Sequence, residues 1–509
     1  MSKTKITEIL MILCVIILLP LLVRADQKKN NNPPPPPPKA QPQKQQAPQQ
    51  RQQGRQGTGQ GPKARGGGGG GGGAKTGEGG GAKVGDRRGV TGGGGGGVKP
   101  GGAGSGPSRT PYLGRPGEQA RDLGGGRKEF RNPATHQTVV TGADGKIQRI
   151  EAPCGLAGTN KMVINHGPSG GRVVETGTPG ARVVSYGPHQ GFVERRLRPG
   201  YMSRTYVRGG HPYAHVYREY RYNKLAYYRY MRDVYYSRRF YAWAVTPWGV
   251  PVRYAWSGLA NPAPWFGFYS GYFTPYSDYA SPDLWLTDYL LTENLRLAYD
   301  NQQAASSDQS PSAPPNPEPT AVALSPDVKA EIANEVRQQL KAESADAAAP
   351  ASSRPQAAPG ETKPAALDPR ESHFVVSSNL AVVTADGQEC QLTPGDVIFR
   401  VDDTPDNNNK VLVKVVSSKQ NDCSVGAKPM LAVADLQEMH NSFQEQLDSG
   451  LKVLAQNQAK GLPNGPDAGP RQVAEGTADP SPEAESQLAA QESEAANLEG
   501  QVTGAGNNN

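Results

Sequence analysis

The sequence predicts a multi-domain, mainly β protein with large disordered segments, and three observations lead there. Gly and Pro, 63 and 46 of the 509 residues, crowd into a few low-complexity stretches, and only 35% of the chain is apolar. Such stretches bury too little apolar surface to offset the entropy of ordering. Between them, short β-branched runs alternate with Gly/Pro turns, first at a ten-residue period and later as five short strands with two cysteines in their connections.

Residues 1–25 read as a signal peptide. Lys3 and Lys5 precede an apolar run from Ile9 to Val23, and Val23-Arg24-Ala25 offers a small side chain for cleavage. The run of 15 residues is short of the roughly 18–20 that cross a bilayer. The expectation is an exported protein, in the periplasm, at the cell surface or secreted. An uncleaved inner-membrane signal anchor is the alternative, and membrane contact follows only from it. Residues 26–125 read as a disordered tether, Pro/Gln-rich and then Gly-rich. From Asp26 to Arg131 there are 19 Lys/Arg against 6 Asp/Glu, a net of +13, which suits a basic arm facing an anionic surface.

Residues 126–300 read as one β-repeat and aromatic domain. GPSGGRVVET (167–176), GTPGARVVSY (177–186) and GPHQGFVERR (187–196) each place a turn before a short strand, with Thr138–Val140 and Met162–Ile164 as earlier members. One unit cannot bury its valines alone, so the units must stack. The stretch 201–299 holds 19 of the 21 tyrosines and all five tryptophans. Tyr and Arg alternate there, as in Tyr217–Tyr222, which reads as strands with two unlike faces. A helix closes the stretch, with Ser281 as N-cap, Pro282 in its first turn and an end near Tyr299.

Residues 301–370 read as a linker with a helix at about 326–343, capped by Ser325. Val328, Ile332, Val336 and Leu340 form a narrow stripe that needs a partner, either another helix or a second copy of the chain. Residues 371–459 read as a small β-barrel followed by a helix from Asp435 to about Ala455, with Leu436, Met439, Phe443, Leu447, Leu451 and Leu454 on one side. In an oxidising compartment Cys390 and Cys423 are expected to form a disulfide. Cys154, left over in a Pro/Gly turn, is the candidate for a thiol that pairs between copies. Residues 460–509, with Lys460 and Arg471 as their only basic groups, read as a disordered acidic tail.

Leu392-Thr393-Pro394-Gly395-Asp396-Val397-Ile398, a hairpin and Ala432–Leu436 resemble the skeleton of a bacterial SH3-like barrel, over residues 371–435. The aromatic groove by which eukaryotic SH3 domains hold proline-rich peptides is missing, so the resemblance implies a fold and no ligand. The Tyr/Trp/Arg-rich segment is similar to uncharacterised exported bacterial proteins, a similarity that implies no function.

No catalytic residue, metal ligand or cofactor is predicted. Gly167-Pro168-Ser169-Gly170-Gly171 matches a nucleophile elbow, but it opens a repeat whose equivalents of Ser169 are Pro179 and His189. His211 and His215 sit four apart, about 13 Å on a strand, too far for one ion. Asp402, Asp403 and Asp406 lack the closing Glu of a calcium loop. The aromatic–arginine segment remains, with Tyr217, Arg218, Tyr220, Arg221, Tyr222, Tyr227, Arg229, Trp243 and Trp248 as candidate ligand surface. Rings stack on sugars and guanidinium groups pair with carboxylates or phosphates. The expected partner is an anionic cell-wall or extracellular polymer. A hydrolase of that polymer would need paired carboxylates, yet acids are sparse near Glu219 and Asp233. Binding of extracellular nucleic acid is the third reading.

Overall fold

Short β-branched segments separated by tight turns fold back antiparallel, and residues 119–231 form one meander of eleven strands. The computed structural model describes residues 112–154, 160–167, 172–187, 189–208, 210–256, 264–307, 322–349, 362–384, 387, 389–419 and 423–504. The expected signal peptide, the tether as far as residue 111, and residues 168–171 of the elbow-like turn lie outside them. The strands are β1 (Gln119–Gly124), β2 (Arg127–Arg131), β3 (Thr138–Thr141), β4 (Ile147–Cys154), β5 (Asn160–His166), β6 (Arg172–Thr178), β7 (Ala181–Gly187), β8 (Gln190–Arg198), β9 (Tyr201–Arg208), β10 (His211–Tyr222) and β11 (Leu225–Met231). Each pairs with its neighbours in sequence. β1 corrects the tether expectation, which ran to residue 125. Arg121 faces Glu129 and Asp122 faces Lys128 on β2, opposite charges that favour the pairing. Cys154 ends β4 half-buried, opposite Asn160.

Successive residues on a strand point to opposite faces, and around β6–β9 both faces are covered. One face packs Ile150, Met162, Ile164 and Val174 against Ala495, Leu498 and Val502, and Val193 and Val207 against Leu488. The other carries Val173, Val184 and Phe192 with Tyr206. At Gly191, φ is 152° and a Cβ would meet the Val184 carbonyl oxygen at 2.2 Å. Only glycine lets β7 and β8 approach there.

Beyond the meander come β12 (Val234–Tyr235) and helices α1 (Arg238–Ala244), α2 (Pro264–Phe268), α3 (Pro282–Ser307) and α4 (Pro326–Ala348). Ser237 and Ser325 cap α1 and α4 by accepting from the Phe240 and Val328 amides. Ile332, Val336 and Leu340 are buried, Val336 and Leu340 with Phe240, Trp285 and Leu447, and Ile332 with Leu291 and Leu295. The stripe on residues 328–340 therefore packs against other helices of the same chain.

β13 (His373–Val375), β14 (Leu380–Val383), β15 (Glu389–Leu392), β16 (Val397–Arg400), β17 (Lys410–Ser417) and β18 (Met430–Ala432) follow. They make a four-stranded sheet in the order β13-β16-β17-β18 and a β14–β15 hairpin, tied through Thr384 and Pro429. Five of the six are legible in the sequence, whereas β15, with the sequence ECQL, carries no β-branched residue. The Asp396 carboxylate pins its turn, accepting from the amides of Thr393 (2.8 Å) and Lys419 (2.9 Å). Tyr227, Ala366 and Leu367 join this core, with Tyr220 and Tyr222 packed on it. The boundary expected at 301–370 thus does not separate two cores.

Cys390 and Cys423 are disulfide-bonded across 33 positions of sequence, and closing such a loop contributes about 3–4 kcal/mol in the chain-entropy model. Reduction is expected to lower the melting temperature by several degrees in scans with and without a thiol. An unchanged midpoint would mean that the bridge adds nothing to this fold.

Helix α5 (Val433–Ala455) is the hub. Leu436 and Met439 enter the small β unit, while Leu447, Leu451 and Leu454 pack with α1, α3 and α4. Asn441 accepts from the Tyr230 amide (3.1 Å) and donates to the Tyr228 carbonyl (2.9 Å), so a side chain covers the open edge of β11. At Gly450 a Cβ would meet Leu286 Cδ2 at 2.7 Å and Tyr289 Cδ1 at 3.0 Å. At the other end of the sheet, β1 is largely exposed and no described strand lies beyond it.

β19 (Arg471–Gln472) pairs with β12, and α6 (Ala484–Thr503) lies across the meander. This corrects the acidic-tail expectation. Glu492 and Glu499 meet Arg172 of β6, and the Gln491 amide donates to Thr176 Oγ1 (3.0 Å) and the Val183 carbonyl (2.8 Å). Among the described residues no helix is long and apolar enough to cross a membrane.

Candidate ligand surface

By register Arg218, Tyr220, Tyr222, Tyr227 and Arg229 share one face of β10–β11 and Tyr217 and Arg221 the other. The nine residues expected to form one ligand surface therefore do not share a face, and they differ in exposure. Arg221 and Arg229 are exposed and Arg218 is half-buried. Tyr217 and Tyr227 are buried, which corrects their assignment to a surface. Tyr220 is half-buried and donates to Gln437 Oε1 at 3.0 Å, and Tyr222 packs beside Tyr227. Trp243 lies half-buried against Phe240, 5.5 Å between centroids, and Trp248 is half-buried with its amide bonded to the Ala280 carbonyl.

Tyr217 belongs to a buried polar network under α5. Arg204 donates through Nη2 to Glu194 Oε1 (2.8 Å), pairs with Glu438 Oε2 (3.0 Å) and reaches the Tyr206 hydroxyl at 3.1 Å. Arg182 donates to the same Glu194 oxygen at 2.8 Å. The Tyr217 hydroxyl donates to Glu445. Burial pushes the Glu445 carboxyl up to about 7 despite Arg204 beside it. Burial acts the same way on Glu194, but two guanidinium groups outweigh it and hold that carboxyl below its ordinary range. Every charge here has a partner from β7, β8, β9, β10 or α5, so the network ties sheet to helix.

Arg218 and Arg229 belong to a row across the strands. Arg198 of β8 faces Tyr201 of β9, Tyr201 faces Arg218 of β10, and Arg218 faces Arg229 of β11. The Arg198 guanidinium lies 3.8 Å and that of Arg218 5.6 Å from the centre of the Tyr201 ring, two cation–π contacts to one ring from the strands on either side. Arg198 also donates to the Glu475 carbonyl at 3.0 Å. Like charges directly opposite, as at Arg218 and Arg229, are unfavourable to each other. Neighbouring strands lie ~4.8 Å apart, so the row presents three guanidinium groups over ~14 Å. Arg198 and Tyr201 escape the sequence reading. Their signal is the Pro199-Gly200 turn, which sets the residues on either side opposite each other.

The remaining motifs are structural. His215 is wedged among Tyr206, Tyr213 and Tyr230, and burial lowers it to about 4, whereas His211 is exposed. His440 is buried against Glu371 at 2.6 Å. Asp406 accepts from the amides of Asn408 and Lys410, both at 2.8 Å, as a hairpin turn requires. Among the described residues no group of three or more His, Cys, Asp or Glu side chains is placed to hold a metal ion. No protein-family model, no curated protein and no solved structure matches this chain.

Proposed function

We propose that this is an exported, envelope-associated binding or structural protein that holds an anionic cell-wall or extracellular polysaccharide on its arginine row. The observation that carries the reading is the register Arg198–Tyr201–Arg218–Arg229. It sets guanidinium groups on both sides of one tyrosine ring, the pairing that suits carboxylate or phosphate groups on a sugar chain. The basic Gly/Pro-rich segment at 26–111 would keep the folded part at a distance from the export site and add its own attraction for polyanions. The residues that resemble an SH3-like barrel carry no ligand in this reading and serve to hold α5.

The test is a pulldown of the full exported chain with insoluble peptidoglycan or an immobilised anionic polysaccharide. Retention at low salt and release by salt are expected, and Arg229→Gln together with Arg198→Gln should weaken retention about tenfold. No retention at low salt sinks the ligand assignment. Equal retention on duplex DNA, with a steep salt slope, would replace the polysaccharide by nucleic acid. Clearing of the polymer in a zymogram would replace binding by hydrolysis.

A further inference from the structure

Three stretches far apart in sequence close a cavity of about 440 Å³ at the end of α5, within the ~300–1,000 Å³ range of small-molecule sites. They are residues 233–236 at β12, residues 452–457 at the last turn of α5, and residues 465–472 leading into β19. The walls are fixed to one another. Val234 pairs with Gln472, the Val473 amide bonds the Asp233 carbonyl (2.7 Å), and the Ser237 amide bonds the Ala468 carbonyl (2.7 Å). Tyr236, buried against Phe240 and Tyr241, gives an apolar lining.

Charges of both signs open into this space. Asp233 and Asp467 supply carboxylates and Lys452 an ammonium, and among the described residues none of the three forms an ion pair. Asp467 Oδ1 accepts only a local amide, that of Gly469 at 3.1 Å. The last carbonyls of α5 add partial negative charge beside Gln456 and Asn457. An anion would meet two carboxylates here, and a simple cation would leave Lys452 unused. A neutral sugar would engage the amides and leave all three charges idle. Opposite charges that share a cavity without touching are bridged by a ligand that carries both.

We propose that this cavity binds a small zwitterion, an amino acid or a short peptide with both ends free. Its ammonium group faces Asp233 and Asp467, and its carboxylate faces Lys452. The site is separate from the arginine row and does not rest on it.

The test is calorimetric titration of the full chain with alanyl-alanine, its N-acetyl derivative and its C-terminal amide. Alanyl-alanine should bind, and blocking either end should weaken binding about tenfold, the worth of one charge-assisted contact. The N-acetyl penalty should vanish in Asp233→Asn with Asp467→Asn, and the amide penalty should vanish in Lys452→Gln. Lys452 and Asp467 are exposed and Asp233 half-buried, and the near-isosteric substitutions should leave the circular dichroism spectrum unchanged. Equal affinity for the three peptides, no heat at millimolar peptide, or penalties that persist in the matching variants would each overturn the assignment.

Discussion

Arg232→Met should destabilise the protein by about 3–5 kcal/mol at pH 8 and by clearly less at pH 5. Arg232 follows β11 and is buried, with Nη2 2.6 Å from Glu343 Oε1 on α4 and Nε 3.1 Å from Asp448 Oδ1 on α5. Gln339 also donates to Glu343, at 3.4 Å. One guanidinium thus faces two carboxylates in a dry joint, and removing it leaves both charges uncompensated. Burial, more than any neighbour, raises both carboxyls well above their ordinary range. Groups raised in this way bind protons more tightly in the folded than in the unfolded chain. The stability they contribute is complete below about pH 4.5 and drains away as pH climbs through their folded values. Glu445, raised to about 7, adds to the same trend. Stability of the native chain should therefore fall from pH 5 to pH 8.5. Glu343→Gln, which keeps a group able to accept from Arg232, should flatten the fall by about 2 kcal/mol. Urea unfolding followed by tryptophan fluorescence at several pH values measures both variants. An Arg232→Met loss equal at pH 5 and pH 8 would contradict the joint as described.

Gly450→Leu should be close in size, at about 3 kcal/mol or more. The α3 and α5 backbones approach so closely there that a Cβ alone would meet Leu286 and Tyr289, and Leu286 is itself buried and unable to swing aside. Gly450→Ala separates two opposing effects. Both residues gain up to about 1 kcal/mol of helix propensity over glycine, so the smaller loss expected for alanine, by about 2 kcal/mol or more, reads the volume that leucine adds beyond Cβ. Chemical denaturation of both variants decides it. A stabilised Gly450→Ala with a mildly affected Gly450→Leu would mean that the two helices separate at little cost.

The sequence is most informative where local signals decide the structure. Ser325 caps α4, Pro282 opens α3 and α5 starts within two residues of Asp435. The mainly β character follows from β-branched runs and Gly/Pro turns. Long-range packing is what it conceals. Ala484, Leu488, Ala495, Leu498 and Val502 form a sparse stripe on α6 inside an acidic composition, and Arg172, Ser185 and His166 of the meander make Glu492 and Glu499 favourable. The tyrosines illustrate the same limit. Nineteen rings within 201–299 look too many to bury in one small domain. Yet α5 and the small β unit, from 140 residues or more downstream, take in Tyr217, Tyr220 and Tyr227 and satisfy two of the hydroxyls with Glu445 and Gln437. The arginine row needs pairing register, which composition does not carry.

Among the described residues no strand lies beyond β1, and this has a consequence for crowding. A bare edge invites the same strand of another copy to add on, the usual route to open-ended aggregation. Two copies of β1 joined antiparallel would be related by a two-fold axis normal to the sheet, and the pleat allows only residues on the same face to stand opposite. The two registers with greatest overlap then set Arg121 against Arg121 of the second copy, or Asp122 against Asp122. Either way a like-charge pair sits at the centre of the new ladder. The alternation that welcomes β2 therefore repels a copy of itself, and a surface densely covered with this protein would stay an array of separate molecules.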